Sequence, residues 1–255
     1  MEKSTLEEIE QRFDADVERF ANLETSQANT IDAVLNMELI TDGIREIYPN
    51  LKNILDIGCG AGNYAIKTLM KSNNKVNVDL VDLSQPMLDR AKQRVEEFTE
   101  GDVQVFKGDF RSVDLPEGKY DVIIATMVLH HLRNDQDWEN AFQKLYGLLN
   151  EGGSIWIFDM VEQNSPEIQK FMFTDRYGEF LMGLKDKDYQ EHVFSYIEKE
   201  DSPRPLLYQL HLLEKVGFKK VDILHKHLCF ASFLGFKGDR YEMCDLRCET
   251  VERLF

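Results

Sequence analysis

The sequence has no apolar run approaching the roughly 18 residues that cross a bilayer, and its opening residues, MEKSTLEEIEQRF, contain no apolar core of a secretory signal. Both absences predict a cytoplasmic protein without a membrane partner. Cysteine is scarce. Of the four, Cys59 falls inside a glycine-rich turn and Cys229 in an apolar strand-like run, so no disulfide framework is expected. Cys244 and Cys248 stand four apart, but no second cysteine pair or histidine pair accompanies them. They are expected to be thiols on a terminal helix, with no metal. Positive charge is also in short supply: 30 Lys and Arg against 46 Asp and Glu leave a net charge of -16. Such a field repels a phosphate backbone unless folding gathers a local basic patch, so nucleic acid is a disfavoured partner. Internal repeats and low-complexity linkers are absent.

What is present is enough apolar content, 43% of 255 residues, to fill the core of one large domain, or of one domain with an inserted cap. From Leu6 to Leu23, Ile9, Phe13, Val17 and Phe20 recur at helical spacing, and a second amphipathic helix is expected from Thr30 to Tyr48, closed by Pro49-Asn50. Residues 1–50 therefore read as an N-terminal helical cap. Between 51 and 160 the rhythm changes to short Val- and Ile-rich segments at 52–57, 75–82, 102–107, 119–125 and 153–159, alternating with helical stretches near 61–71, 85–98 and 135–149. This alternation predicts an α/β fold: a doubly wound, Rossmann-like, mostly parallel seven-stranded sheet. Residues 161–203 break the pattern. Their Phe171, Met172, Phe173, Tyr177, Phe180 and Met182 are expected on the packing face of an inserted helical lid. Residues 204–236 read as a helix, Leu206 to Val216, and an antiparallel hairpin, 218–227 with 228–236, completing the sheet. The tail 237–255 reads as a short helix.

The stretch NILDIGCGAGN, residues 53–63, is a strand running into closely spaced glycines and a helix. A dinucleotide fingerprint needs G-x-G-x-x-G, but after Gly58 and Gly60 the third glycine, Gly62, comes one position early. Asp56, two residues before Gly58, would oppose a pyrophosphate and instead suits a ligand carrying positive charge. Its alternative role is a helix N-cap. Asp82 closes the second strand about where an acidic residue accepts ribose hydroxyls in this architecture, although it also suits a cap before Ser84. Asp109 and Phe110 follow the third strand and Thr126 ends the fourth.

At these residues the sequence resembles the class I S-adenosylmethionine-dependent methyltransferases. ILDIGCGAG is similar to their first motif, VDLVDLS to their acidic ribose motif, KGDF to their adenine motif and DVIIATMVLHHL to their fourth, in order across about residues 50 to 160. The resemblance implies S-adenosyl-L-methionine as cofactor. Asp56, Gly58 and Gly60 would hold its methionine portion, Asp82 with Leu83 the ribose, Asp109 and Phe110 the adenine, and Thr126 the sulfonium side. More loosely, RFDADVERF, the lid position and CFASFLGF are similar to the subgroup of carboxy-S-adenosylmethionine synthases of tRNA modification. That subgroup uses a late arginine, for which Arg204 lies in the right zone without reproducing the local pattern.

Methyl transfer from an activated sulfonium needs mainly alignment and exclusion of water, and a general base only if the acceptor loses a proton. His130 and His131, after the fourth strand, are the candidate bases; the competing role is a loop hydrogen bond and packing. Tyr189, Tyr196 and Arg204 are the candidate polar groups of an acceptor pocket. The expected activity is methylation of a small organic acceptor. A carboxylated-donor synthase or tRNA-modification enzyme of the same fold, a dehydrogenase with an aberrant glycine turn and a noncatalytic nucleotide-binding module are the alternatives. A homodimer is compatible with the pattern, which does not set the oligomeric state.

Overall fold

The computed structural model describes residues 3–14, 17–22, 28–72 and 75–238. The expected tail helix, with Cys244 and Cys248, lies outside them. Among the described residues, seven strands form one mixed sheet: β1 Asn53–Ile57, β2 Asn77–Asp82, β3 Val103–Lys107, β4 Tyr120–Thr126, β5 Leu149–Met160, β6 Lys220–His227 and β7 Phe230–Phe236, in spatial order β3-β2-β1-β4-β5-β7-β6. β1 pairs in parallel with both β2 and β4, so the chain reverses its direction of growth beside β1. Open α/β sheets bind ligands at the carboxyl ends of the strands at such a point. β7 pairs antiparallel with β5 and with β6, closing the sheet with the expected hairpin.

The central strands are apolar throughout because both their faces are covered. Alternate residues go to opposite cores: Ile54, Trp156 and Phe158 to one, Leu55, Ile155 and Ile157 to the other. The first core is covered by α3 (Ala33–Ile47), α4 (Asn63–Met70) and α5 (Gln85–Val95), the second by α6 (Asp135–Leu148) and α10 (Leu206–Val216). α3 lies close over the sheet at Gly43, where an added Cβ would stand 2.6 Å from the Trp156 ring. Beside it, the buried Ser154 hydroxyl accepts hydrogen bonds from Trp156 Nε1 (2.8 Å) and Tyr48 Oη (2.7 Å). Ser84 caps α5, its Oγ accepting from the Met87 amide at 3.2 Å, and Asn134 caps α6 in the same way.

Two boundaries differ from expectation for physical reasons. β5 begins at Leu149, not at 153, because Tyr120 pairs with Leu149 across a register irregularity that the turn-like NEGG disguises. The β6–β7 hairpin turns through Leu228-Cys229, with Leu228 in the left-handed region (φ 51°), a position usually filled by Asn or Gly. Between β5 and α10, residues 166–184 form one helical run, α7 (Pro166–Gln169), a wide π-type stretch (Lys170–Tyr177) and α8 (Gly178–Leu184), followed by α9 (Lys187–Glu200). Tyr177 anchors the run: it is fully buried, its ring meets Phe230, and its hydroxyl donates to the Asn29 carbonyl at 2.9 Å. The N-terminal segment forms α1 (Leu6–Asp14) and α2 (Val17–Phe20). No helix of the described residues is long and apolar enough to cross a membrane.

Gly43→Leu should overpack the α3–Trp156 contact and lower stability by about 1–3 kcal/mol, measured by urea denaturation. Unchanged stability would mean that α3 does not sit on Trp156.

Candidate functional site

The strand order places the ends of β1, β2, β3 and β4 around two adjoining cavities. The larger, about 790 Å³ including its open mouth, is lined by Gly58, Gly60, Tyr64, Asp82, Thr126 and His131 from the core and roofed by Ile9, Phe13, Phe20 and Met37. The smaller, about 440 Å³, is lined by Asp109, Phe110 and Arg111 and shares Gly58, Asp82, Leu83, Val128 and His131 with the first. The structure thus brings seven of the eight expected cofactor residues to the cavity walls. Asp56, the eighth, lies beneath the wall.

The backbone of the turn makes the surface. Gly58 has φ 63°, and a Cβ there would stand 2.6 Å from Val128 Cγ2; Gly60 has φ 50° and its Cα faces open space. Only glycine takes both positions without strain or clash. Asp82 holds the turn in place. One oxygen accepts the Gly60 amide at 2.8 Å, the other the Ser84 amide at 2.9 Å. Each oxygen retains a second lone pair for a ligand hydroxyl. Burial raises the Asp82 carboxyl above its usual range, against the amides of Ser84, Gly60 and Leu83.

Asp56 is almost wholly buried and neither carboxylate oxygen has a well-aligned hydrogen-bond partner. Burial pushes its carboxyl up to about 8, the nearby Ala65 amide opposing and the charge of Asp82 adding to the rise. Two buried carboxylates beside a turn of bare backbone disfavour a pyrophosphate and suit a ligand bearing ammonium and ribose hydroxyls. Tyr64 adds a further polar group to the wall, a buried hydroxyl without a partner. Met127, just after β4, lines the cavity in the left-handed region (φ 52°), with its amide bonded to the Phe158 carbonyl. Non-glycine residues in this region are concentrated at functional sites.

In the smaller cavity Asp109 is engaged by Arg111, whose Nε lies 3.0 and 2.9 Å from the two carboxylate oxygens. Arg111 also lies 3.3 Å from Asp137 of α6. A ligand amine would share Asp109 with this guanidinium.

The two histidines occupy different environments. His130 is buried, its Nδ1 bonded to Asp159 at the end of β5, and its Nε2 lies 3.6 Å from Asp201. Burial opposes its charge, but the carboxylates of Asp159 and Asp201 outweigh burial and push its pKa up to about 9. His131 lines both cavities, with Nδ1 3.2 Å from Asp201 Oδ1. Burial and the adjacent charge of His130 lower its pKa, against Asp201, so it stays neutral at neutral pH. A neutral imidazole facing the cavity accepts a proton; a buried cation behind it does not.

The three polar residues expected for an acceptor line neither cavity. Arg204 Nη2 bonds Asp135 at 2.7 Å, Tyr196 lies under the Arg12 guanidinium, 4.2 Å from its ring centroid, and Tyr189 packs against the core beside Lys185. The roof comes instead from Ile9, Phe13 and Phe20, whose helical spacing marks an apolar face without saying what it covers. Arg12 ties α1 to α9 through Glu200 at 2.6 Å.

Residues 54–153 match a family described as "Methyltransferase domain". Over 242 residues the chain is 24% identical to the carboxy-S-adenosyl-L-methionine synthase of Nautilia profundicola, covering 88% of this chain and 98% of that protein. It is also 24% identical to the demethylmenaquinone methyltransferase of Listeria monocytogenes, over 72% of this chain and 78% of that one. Human N-acetylserotonin methyltransferase, solved in complex with S-adenosylmethionine, superposes with a TM-score of 0.55 at 18% identity, covering 87% of this chain and 58% of that structure. The chain thus spans less than two thirds of that solved protein. The resemblance drawn from the motifs holds, the sheet is of the methyltransferase type, and S-adenosyl-L-methionine is the cofactor of such a domain.

The raised Asp56 carboxyl has a consequence for stability. The group takes up a proton on folding, so its contribution is full below its unfolded value of 3.8 and is lost as pH rises to about 8. The ligand-free protein should therefore melt at falling temperature between pH about 6 and about 8, and Asp56→Asn should flatten that slope. Identical slopes in calorimetric scans of both proteins would place the Asp56 carboxyl elsewhere.

Proposed function

We propose that this methyltransferase-type domain transfers the methyl group of S-adenosyl-L-methionine to a small, largely apolar acceptor in the cytoplasm, with His131 as general base. The observation that carries the reading is a neutral imidazole at the junction of the two cavities, under a roof of Ile9, Phe13, Phe20 and Met37. When bound, the cofactor supplies a methyl group already activated by its sulfonium. The protein's share is positioning and proton handling. Asp82 orients ribose hydroxyls while fixing the glycine turn, and Asp56, neutral beneath the wall in the ligand-free protein, would ionise beside the ligand's positive charge. Asp109 and Phe110 bound the adenine, and Thr126 borders the sulfonium side. His131 Nδ1 faces Asp201, which holds the ring in place, while its other nitrogen takes the proton from an acceptor hydroxyl. His130, cationic and clasped by Asp159 and Asp201, is a positioning residue. The apolar roof excludes water and selects an apolar acceptor.

The identity to carboxy-S-adenosyl-L-methionine synthases favours a second reading, use or synthesis of a carboxylated donor. An additional carboxylate in the larger cavity would need a cation, and its wall has no lysine or arginine among the described residues. Arg204, the position suggested for that task, is turned to Asp135. The lining supports methyl transfer over this alternative.

Mass spectrometry of ligand released from freshly purified protein separates the two readings: S-adenosylmethionine or its demethylated product supports the first, a carboxylated derivative the second. Asp82→Ala and Asp109→Ala should each weaken S-adenosylhomocysteine binding by about 1–3 kcal/mol in calorimetric titration. Full affinity in both folded variants would overturn the cofactor placement. With an acceptor found by screening phenols and quinols, His131→Gln should lower kcat by about 10²-fold or more at unchanged donor affinity. Retention of wild-type kcat would remove His131 as the base.

A further inference from the structure

On the opposite edge of the sheet from β3, a second group of histidines and a carboxylate converges, away from both cavities. His225 and His227 stand two apart near the carboxyl end of β6, after a register irregularity between Ile223 and His225. Asp32 reaches them from the start of α3: its Oδ2 lies 2.8 Å from His225 Nε2 and 2.8 Å from His227 Nδ1. One donor atom from each residue lies within 4.8 Å of the other two.

Asp32 is unusual for its position. It precedes α3 where an aspartate ordinarily accepts a backbone amide, yet it makes no cap bond and holds a left-handed backbone (φ 56°). Its carboxylate is committed to two imidazoles 193 and 195 residues away. A strained residue whose carboxylate serves a distant side-chain cluster is a mark of a functional position. Lys226, between the histidines, bonds instead to the Leu228 carbonyl and Gln163 and so does not compete for Asp32.

We propose that Asp32, His225 and His227 form a three-ligand site for a divalent transition metal of the zinc class. Two imidazole nitrogens and a carboxylate oxygen are a donor set that zinc accepts, leaving a fourth position for water. Zinc–nitrogen and zinc–oxygen distances of about 2.0–2.2 Å bring tetrahedral donors to separations of about 3.4 Å. Small rotations of the three side chains accomplish this from 2.8 Å, since His225, Asp32 and His227 are 28%, 32% and 51% exposed. The other convergent group among the described residues, His130, His131 and Asp201, lies against the larger cavity and has His130 Nδ1 taken by Asp159. Metal at the Asp32 site would clamp the start of α3, which carries the cavity-lining Met37, to edge strand β6.

The test is titration of chelator-stripped full-length protein with Co²⁺ and Zn²⁺, followed by the visible ligand-field bands of Co²⁺ and by calorimetry. One saturable equivalent with imidazole-type bands is expected, displaced by Zn²⁺, with a rise in melting temperature. Asp32→Asn and His227→Ala, both at partly exposed positions, should each weaken Co²⁺ binding at least tenfold, while His131→Gln leaves it unchanged. Absence of saturable binding would overturn the proposal, as would binding that survives both substitutions or is lost in His131→Gln.

Discussion

A carboxylate sealed beneath the glycine turn without a partner of its own is the constraint on which the rest of the site depends. Asp56 is next to last in the strand at which the sheet reverses its direction of growth, and Asp82 ends the next one. Neither could be tolerated as a simple buried charge. Asp82 is offset by backbone amides of the turn it organises, whereas Asp56 is held near neutrality by burial. Because the turn approaches its ligand with backbone alone, the electrostatic preference of the cavity comes from these two groups. A cationic ligand relieves the deficit and a phosphate would deepen it.

The second organising feature is the buried chain Asp159–His130–Asp201–His131, which draws together parts of the protein distant in sequence. Asp159 is next to last in β5, the histidines follow β4, and Asp201 is the C-cap of α9. Around it, Arg133 reaches the Ser4 carbonyl at 3.0 Å and Lys3 the Glu198 carbonyl at 2.8 Å, so the N-terminal segment and the inserted helices meet at the same place. The roof over the larger cavity and the orientation of His131 are therefore set by one set of contacts, and displacement of either segment would be felt by the other.

Much of the sheet was legible because parallel strands buried on both faces have to be apolar throughout, and because a strand, close glycines and a helix leave little conformational choice. The position of Asp82 and Asp109 at the cavity walls was legible because each stands at a strand's carboxyl end in that repeat. The different surroundings of His130 and His131 were not, since they are set by Asp159 and Asp201, 29 and 71 residues beyond His130. Nor was the grip of Arg111 on Asp109: two residues apart, the pair looks like any exposed loop charge. The apolar face of Ile9, Phe13 and Phe20 was visible as a face, but its use as a roof depends on where the helix docks, which periodicity does not encode. Tyr189, Tyr196 and Arg204 were suggested by polarity within an apolar segment. Their side chains are taken up by packing and by Asp135, contacts that depend on tertiary arrangement.

The Leu228-Cys229 turn bears on how firmly the edge of the sheet is held. A two-residue connection without glycine or asparagine gives an isolated hairpin little help in closing. β7 nevertheless has seven register partners on β5, from Ser154↔Phe236 to Met160↔Phe230, and its residues are nearly all buried. β7 is thus held along its length by β5, whereas β6 pairs with β7 alone, half-solvated and fringed by Lys220, Asp222 and Lys226. The outermost strand therefore opens first under native conditions, and its amide hydrogens should exchange with solvent ahead of those of β1, β4 and β5. The edge would then be the place where the fold breathes while the cofactor end stays closed.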